Sequence, residues 1–267
     1  MSVQRDICVA VATHKLYRMP DDPAYLPVQV GVSLHPDVDL GFQRDNEGDN
    51  ISSLNDSYSE LTALYWVWKN VDARAKGLVH YRRLLGSSDS VRRRAKDPFG
   101  RIATGDELSH LVDAYGVVLP RKRQYVIETV YDHYAHTFDA AHLDACRDVL
   151  TEMCPEYVPA WNRHMSSRSA HICNMFVMRN DLFDAYCSWL FPLLKELTGR
   201  IDIAGMTSFE VRWPGRVAER LLDPWLELNS VKPVELPVVT PEPVDWVAKG
   251  KGFLAAKFLG RKYGNSF

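Results

Sequence analysis

The sequence lacks the features that are typical of membrane-spanning proteins, of secreted proteins and of proteins stabilised by a bound metal ion. It contains no run of 18 or more apolar residues, so no transmembrane helix is expected. No basic stretch followed by a long apolar segment opens the chain, which argues against a secretory signal. The five cysteines are dispersed and never form a Cys-x-x-Cys pair. A cytoplasmic protein with neither a disulfide framework nor a zinc site is therefore expected.

The short motifs of several common enzyme classes are also missing. There is no Gly-x-x-x-x-Gly-Lys-Ser/Thr loop and no Gly-x-Gly-x-x-Gly after a strand. There is no Gly-x-Ser-x-Gly elbow and no His-Glu-x-x-His helix. These absences argue against common nucleotidases, dehydrogenases, esterases and zinc peptidases. A net charge of −2 gives no basic footprint for nucleic acid, so no nucleic-acid partner is expected.

What is present is an alternation of strand-like and helix-like segments. Apolar runs predict strands at residues 7–12, 28–34, 77–81, 117–119 and 174–178, and an extended segment at 231–239. Helical spacing predicts helices from residue 57, at 142–153 with Asp139 as N-cap, at 180–197 with Asn180 as N-cap and Gly199 as the C′ glycine, and at 216–225. The first of these helices carries a Ser57-x-x-Glu60 capping box. The pattern predicts an α/β fold with a mixed, mainly parallel sheet flanked by helices.

A polar loop, residues 48–55, precedes the first predicted helix. A helix N-terminus offers unpaired N–H groups and partial positive charge, which suit an anionic ligand. Asp49, Asn50 and Asn55 supply groups that bind a ribose, base or sugar. The alternative is that these residues serve turn formation and capping alone.

Two strand ends carry basic residues. His80-Tyr81-Arg82-Arg83 ends a predicted strand, where open α/β sheets bind their ligands. Adjacent arginines suit a phosphate-bearing ligand through bidentate contacts, and the alternative is a structural salt bridge with His80 in the core. His14-Lys15 ends the first strand in the same way, with a solvated lysine as its alternative.

Three carboxylates are candidates for chemistry. Asp37-x-Asp39 has the spacing with which many sugar-nucleotide transferases hold a divalent metal. It precedes the helix that such motifs normally follow, so Mn²⁺ or Mg²⁺ stays an alternative and no cofactor is firmly predicted. Glu219, on a short helix behind a Pro-Gly turn, is a candidate general base. Its alternative is a surface ion pair with Arg216 or Arg220.

The C-terminal segment differs from the rest of the chain. Residues 246–263 contain no acidic residue and combine five basic side chains with apolar ones. The chain is therefore divided into a domain at 1–240 and a basic amphipathic tail at 241–267. Such a segment is expected to lie on an anionic membrane surface, here the inner face of the plasma membrane. The alternative is a disordered, solubilising tail.

The longest motif is GDNISSLNDSYSELTALYWVWKN followed by GLVHYRRLL, which spans residues 48–85. It is similar to a family of bacterial capsule and exopolysaccharide glycosyltransferases, first catalogued as a domain of unknown function. Further matches lie at Thr13-His14-Lys15, at 174–194 and at 216–226, so the resemblance covers roughly residues 7–240. The chain departs from the family at Leu84-Leu85, where an aromatic is frequent, and in its basic run at 92–94.

The resemblance implies a GT-A-like, Rossmann-like fold and transfer of a hexose from a nucleoside-diphosphate donor. The implied donor is a UDP-sugar, with galactofuranose in some members, and the acceptor is a growing glycan or a lipid-linked glycan. By position, the resemblance places Thr13, His14, Lys15, Asp49, Asn50, Asn55 and Glu60 on the donor side, His80, Arg82 and Arg83 at the diphosphate, Asn174 and Arg212 on the acceptor side, and Glu219 as the base. One alternative is a non-catalytic nucleotide-sugar or glycan-binding subunit of a polysaccharide assembly complex. Another is a phosphosugar transferase.

Overall fold

A computed structural model describes residues 5–242. Apart from residues 241–242, the predicted basic tail lies outside this range. The strands are β1 (Arg5–Thr13), β2 (Tyr25–Gln29), β3 (Gln43–Arg44), β4 (Ala73–His80), β5 (Leu84–Leu85), β6 (Val117–Pro120), β7 (Arg123–Gln124), β8 (Ser169–Ala170), β9 (Phe176–Arg179), β10 (Val234–Leu236) and β11 (Val238–Val239). The α-helices are α1 (Asn55–Tyr58), α2 (Leu61–Asn70), α3 (Gly105–Tyr115), α4 (Val130–Thr137), α5 (Ala141–Met153), α6 (Val158–Ser166), α7 (Asn180–Arg200) and α8 (Trp213–Leu228).

The central sheet has seven strands in the order β10-β6-β9-β4-β1-β2-β3. Strand β9 runs antiparallel to β4 and β6, and the other pairings are parallel. The carboxyl ends of β1, β4 and β6 therefore lie at the same edge of the sheet as the start of β9. We call this the carboxyl edge. It is the edge at which open α/β sheets bind ligands.

The sheet separates two apolar cores, as the alternation of side chains along a strand requires. In β1, Ile7, Val9 and Val11 pack on one side together with Leu108 and Val112 of α3. Ala10 and Ala12 face the other side, where α2, α5, α6, α7 and α8 contribute buried residues. The predicted fold class, a mixed and mainly parallel sheet flanked by helices, is confirmed. The strand predictions at 7–12, 77–81 and 117–119 are confirmed within one or two residues at their carboxyl ends.

The capping box predicted at Ser57 is wrong. Helix α1 ends at Tyr58, and Ser59 adopts φ 51° and ψ −125°, which breaks the helix before α2 starts at Leu61. Ser57 Oγ donates to the Leu54 carbonyl at 3.1 Å, and the Glu60 carboxylate accepts from Asn174 at 2.7 Å. Both side chains are therefore used for contacts other than reciprocal capping.

The second strand lies earlier than predicted. It ends at Gln29, because the chain turns at Gly31 (φ +72°) and the Gly31 and Val32 N–H groups donate to Asp45 rather than to a strand partner. The strand predicted at 174–178 begins only at Phe176, since the preceding residues are left-handed. The 231–239 segment forms two short strands.

Three helix boundaries also differ from the predictions. Helix α7 contains both Pro192 and Gly199 and runs on to Arg200, so Gly199 does not end it. Its N-cap is Arg179 and not Asn180, and α5 has Ala140 rather than Asp139 as its N-cap. Helix α8 starts before the predicted residue 216, with a proline in its first turn, where the missing N–H costs nothing. Within residues 5–242, none of the helices combines the length and apolar character needed to cross a membrane.

Candidate functional site

Basic side chains from three elements meet at the carboxyl edge. His14 and Lys15 follow β1, Arg82 follows β4, and Arg212 is the N-cap of α8. The parallel register pairs Ala12 with His80, so the residues that follow the two strands are neighbours. The pKa of His14 lies below its ordinary value, first through partial burial of the ring and then through the charges of Arg212, Lys15 and Arg82. Arg212, Lys15 and Arg82 are therefore all within electrostatic reach of His14, and we call these four residues the cation cluster.

Tyr81 forms the floor of the cation cluster. Its buried ring meets the His14 ring edge-on, with 5.5 Å between the centroids. The Lys15 ammonium and the Arg82 guanidinium lie 5.4 and 5.3 Å from its centroid. Arg82 Nη1 is 3.8 Å from Glu242 Oε2, and its side chain is 41% exposed. A long contact of this kind leaves the guanidinium accessible to an incoming anion.

His80 and Arg83 close a tight turn after β4. The backbone N–H of each donates to the carbonyl of the other at 3.0 Å. The His80 Nε2–H donates to the Cys173 carbonyl at 2.5 Å, which ties the end of β4 to the segment before β9. This contact gives His80 a structural role, which is the alternative to phosphate binding that the sequence analysis allows. Its assignment to the diphosphate stays a prediction.

Strained backbone is concentrated at this edge. Four non-glycine residues between 5 and 242 have positive φ, and three of them are here: Ser59 (51°), Cys173 (77°) and Asn174 (47°). Such conformations cost about 1–3 kcal/mol each and are found most often at functional sites. Asn174 Nδ2 donates to Glu60 Oε1 at 2.7 Å and to the Gly215 carbonyl at 2.9 Å. Ser59 Oγ accepts from Arg212 Nε at 3.0 Å.

Two carboxylates lie beside this strained segment. Glu60 is held by Asn174 at the N-cap of α2, and Glu219 on α8 is ion-paired with Arg220, which is 4% exposed. Burial raises the pKa of the Cys173 thiol to about 12, with Glu219 and Glu60 adding to the shift and Arg83 opposing it. Both carboxylates and Arg83 are therefore within electrostatic reach of Cys173. The ion pair to Arg220 is one of the alternatives that the sequence allows for Glu219.

Thr13 shapes the loop after β1. It is 1% exposed, its hydroxyl donates to the Lys15 carbonyl at 2.7 Å, and it accepts from the Lys15 N–H at 3.3 Å. These bonds turn the chain so that Lys15 stands exposed at the carboxyl edge. Thr13 is thereby placed under the cation cluster.

Asp49 and Asn50 lie elsewhere. The Asp49 carboxylate accepts from the Tyr65 hydroxyl at 3.1 Å, and its N–H donates to Asn70 Oδ1 at 3.1 Å. Asn50 Nδ2 donates to the carbonyls of Asn46 and Gly48 at 3.1 and 2.8 Å. Asn70 ends α2, whereas Glu60 precedes its first turn, so this loop lies at the end of α2 remote from the carboxyl edge.

The polar loop is organised around Asp45, a residue that the sequence did not single out. Its fully buried carboxylate accepts from the Gly31 and Val32 N–H groups at 2.8 and 3.2 Å, and from the Ser52 and Thr62 hydroxyls at 2.6 and 2.7 Å. We call this set the Asp45 hub. Asn55 stands next to it, with its Nδ2 donating to the Ser59 carbonyl at 2.8 Å and to Thr62 Oγ1 at 3.0 Å.

The acidic pair Asp37 and Asp39 is on the exposed loop after β2. Asp39 Oδ1 accepts from the Gly41 N–H at 2.9 Å, which is a turn contact. Within residues 5–242, no group of three or more His, Cys, Asp or Glu side chains is arranged to hold a metal ion.

The left-handed residues Ser59 and Cys173 are parts of the edge that sequence reasoning missed. Neither is a glycine, and a left-handed serine or cysteine leaves no pattern in a sequence. Arg220 is named by the sequence only as an ion-pair partner. Its burial follows from the helical spacing of α8, where Val217 and Leu221 are fully buried.

Comparison with known proteins identifies a structural relative and a family. Over 88% of its length the chain superimposes on the apo structure of WbbM, a bifunctional glycosyltransferase, with a TM-score of 0.80 and 28% sequence identity. The chain spans 45% of the WbbM chain. No curated protein shows significant similarity to the chain. Residues 8–230 match the family described as "Domain of unknown function (DUF4422)". The chain belongs to this DUF4422 family.

Proposed function

We propose that this protein is a glycosyltransferase that takes a sugar from a nucleoside-diphosphate donor. The observation that carries the proposal is the cation cluster, which stands beside the carboxylates of Glu60 and Glu219 at the carboxyl edge. The similarity to WbbM over 88% of this chain supports the same assignment. We infer a UDP-hexose donor, with galactofuranose as the first sugar to test. The acceptor is a growing cell-surface polysaccharide or lipid-linked glycan at the inner face of the plasma membrane.

The donor diphosphate binds to the cation cluster. Arg82 and Arg212 provide planar donors for phosphate oxygens, and Lys15 and His14 add charge from the other strand end. These groups are held in place before the reaction, by the Tyr81 ring and by the Arg212–Ser59 hydrogen bond. Preorganised positive charge stabilises the negative charge that builds up on the leaving group, which is usually the largest single contribution to catalysis.

The acceptor is activated by a carboxylate, for which Glu219 is our choice. Glu219 takes the proton of the acceptor hydroxyl while that oxygen bonds to the anomeric carbon. The bond from the anomeric carbon to the phosphate oxygen breaks, and its electron pair leaves with the nucleoside diphosphate. The Arg220 guanidinium fixes the orientation of the Glu219 carboxylate through their ion pair. Glu60, held by Asn174, is the second carboxylate at this edge, and we assign it to the donor side.

The test is product analysis with a panel of nucleotide sugars, with and without a divalent-metal chelator. We expect release of a nucleoside diphosphate from a UDP-hexose, faster when a glycan acceptor is added, and resistant to the chelator because the cation cluster neutralises the leaving group. Loss of turnover with the chelator, restored by Mn²⁺, would contradict the metal-free version.

Two other outcomes would replace the proposal. Release of a nucleoside monophosphate or inorganic phosphate would identify a phosphosugar transferase. Donor binding without any turnover would identify a non-catalytic binding subunit of an assembly complex.

A further inference from the structure

The segment after β6, residues 121–127, contains the two-residue strand β7 and presents two large apolar side chains to solvent. We call it the 121–127 loop. Val126 is 79% exposed and Ile127 60% exposed, while the neighbouring Tyr125 is buried beneath them. Exposed apolar side chains that lie together are a feature of surfaces that contact a protein partner or a membrane.

Three exposed arginines lie on or next to this apolar segment. Arg121 and Arg123 are exposed on the loop itself, and Arg168 is brought beside it because its carbonyl accepts from the Tyr125 N–H at 2.7 Å. In the part of the chain between residues 5 and 242, no carboxylate forms an ion pair with any of these three arginines. The nearest acid along the chain, Glu128, is buried and holds His133 and His136. Lys122, by contrast, is paired with Asp223 at 3.1 Å.

The loop is at the carboxyl edge, beside the candidate site. Strand β6 runs parallel to β4 and is separated from it by β9 alone, or by about 10 Å at the usual strand spacing. Burial raises the pKa of Tyr125, and the charges of Arg220, Arg123 and Glu219 also affect it, so Tyr125 lies within electrostatic reach of Glu219. The loop therefore borders the acceptor side of the proposed reaction.

The chain leaves the described structure at the same edge. Glu242, the last described residue, is next to Arg82 of the cation cluster. The sequence that follows contains Lys249, Lys251, Lys257, Arg261 and Lys262, with apolar residues between them and no acid from 246 to 263. A basic sequence thus continues from the edge that carries the exposed arginines and the apolar segment.

We propose that the 121–127 loop, together with Arg168, is a contact site for an anionic membrane surface. Val126 and Ile127 enter the boundary between headgroups and acyl chains, and Arg121, Arg123 and Arg168 bind lipid phosphates. The contact turns the carboxyl edge toward the bilayer, where a lipid-linked acceptor is held. The role of this contact in bringing the site to a lipid-linked acceptor rests on the proposed function, whereas the binding of lipid does not.

The experiment is co-sedimentation of the full chain with vesicles of phosphatidylcholine and phosphatidylglycerol in equal parts, and with pure phosphatidylcholine vesicles. We expect preference for the anionic vesicles. The double variant V126S/I127S should lower the partition coefficient about tenfold, because the apolar insertion is lost. Replacing Arg121 and Arg168 by glutamine should lower it about fivefold for each arginine. All variants keep the C-terminal sequence, so the ratio to the unaltered chain measures the loop alone.

Matched controls are V91S, at a valine that is 75% exposed on another loop, and R147Q, at an exposed arginine of α5. Neither should alter partitioning. Equal binding to both vesicle types, or loop variants no weaker than these controls, would overturn the proposal. A loop that binds an acidic protein or a glycan would give that result. If no nucleotide sugar stabilises the unaltered chain while vesicle binding depends on the loop, the proposed function fails and this inference stands.

Discussion

The carboxyl edge and the Asp45 hub are both rich in polar residues, but they use them differently. At the hub, one buried carboxylate accepts four hydrogen bonds, and the adjoining amides of Asn50 and Asn55 bond to nearby carbonyls. At the carboxyl edge, the cations that follow β1 and β4 and precede α8 are brought within electrostatic reach of His14. The ion pair between Arg82 and Glu242 at this edge is 3.8 Å long.

The polar residues of the Asp45 hub stabilise the fold, whereas the charged residues of the carboxyl edge are available to bind a ligand. Groups that satisfy one another lower the energy of the folded chain and have no capacity left for a ligand. Like charges gathered at one edge raise that energy and are relieved when an anion binds. The motif at residues 48–55 therefore explains the local structure, and the strand ends carry the proposed chemistry.

The largest effect is expected at Glu219. Replacing it by glutamine removes the proposed base without changing the shape of the side chain, so turnover should fall by about 10²–10⁴-fold. Donor binding should be preserved, because the cation cluster is unchanged. The measurement is the rate of nucleoside-diphosphate release together with donor affinity.

The control for this prediction is E227Q, which alters another ion-paired glutamate of α8, one that contacts Arg163. Its turnover should equal that of the unaltered protein. An unchanged rate in the Glu219 variant, or an equal loss in the Glu227 control, would remove Glu219 as the base.

At the hub the largest effect should be on stability. Asp45→Ala leaves two N–H groups and two hydroxyls without their acceptor in a buried site, at a cost of about 3 kcal/mol. Urea unfolding measures the loss. A variant that unfolds at the same urea concentration as the unaltered chain would show that the hub is not what holds this loop.

The strands of the sheet could be predicted from the sequence more completely than the candidate site. Continuous apolar runs such as residues 7–12 and 77–81 leave few alternatives to buried strands, and the strand ends that they define carry His14, Lys15 and Arg82. Placing basic residues at strand ends therefore followed from the sequence. Their convergence depends on sheet order and register, which involve residues far apart in the chain.

Other parts of the site were not predictable from local patterns. The Ser57–Glu60 spacing satisfies the rule for a capping box, but Asn174, 114 positions further on, binds Glu60 instead. Left-handed Cys173 and Asn174 are maintained by tertiary contacts and not by residue type. From the sequence alone, Asp49 and Asn50 could serve equally well to bind a ligand or to close the loop. Only their hydrogen-bond partners in the structure distinguish the two roles.

A smaller effect is expected in the pH dependence of donor binding. The pKa of His14 lies below its ordinary value of 6.5 because burial and three neighbouring cations disfavour the charged ring. A bound diphosphate raises that pKa, so binding takes up a proton, and affinity should increase as the pH falls below 6.5. The increase should be under about tenfold, because only one imidazole changes its charge.

The affinity is measured by calorimetry at several pH values. A nucleotide sugar is a suitable ligand because its diphosphate has no group that titrates near neutrality. The H14Q variant is the control and should show a flat profile over the same range. If H14Q retains the slope, the proton is taken up elsewhere.

The smallest effect is expected for D49A, combined with N50A. Their contacts are on an exposed loop, so the free energy of unfolding should fall by about 1 kcal/mol or less. Donor affinity should change less than twofold in calorimetric titration. A tenfold loss of affinity would reverse the comparison, because it would make the loop part of the donor site.

The most direct test of the central claim is the thermal stability of the chain with a panel of nucleotide sugars, for the unaltered protein and for R82A/R212A. A donor at 100 times its Kd should add about 2.7 kcal/mol of stability to the unaltered protein. The double variant should lose most of that gain at the same donor concentration, because two charge-assisted contacts are worth about 1.5–3 kcal/mol each. Equal stabilisation of both proteins, or none in either with any nucleotide sugar, would contradict the claim that the carboxyl edge binds the diphosphate.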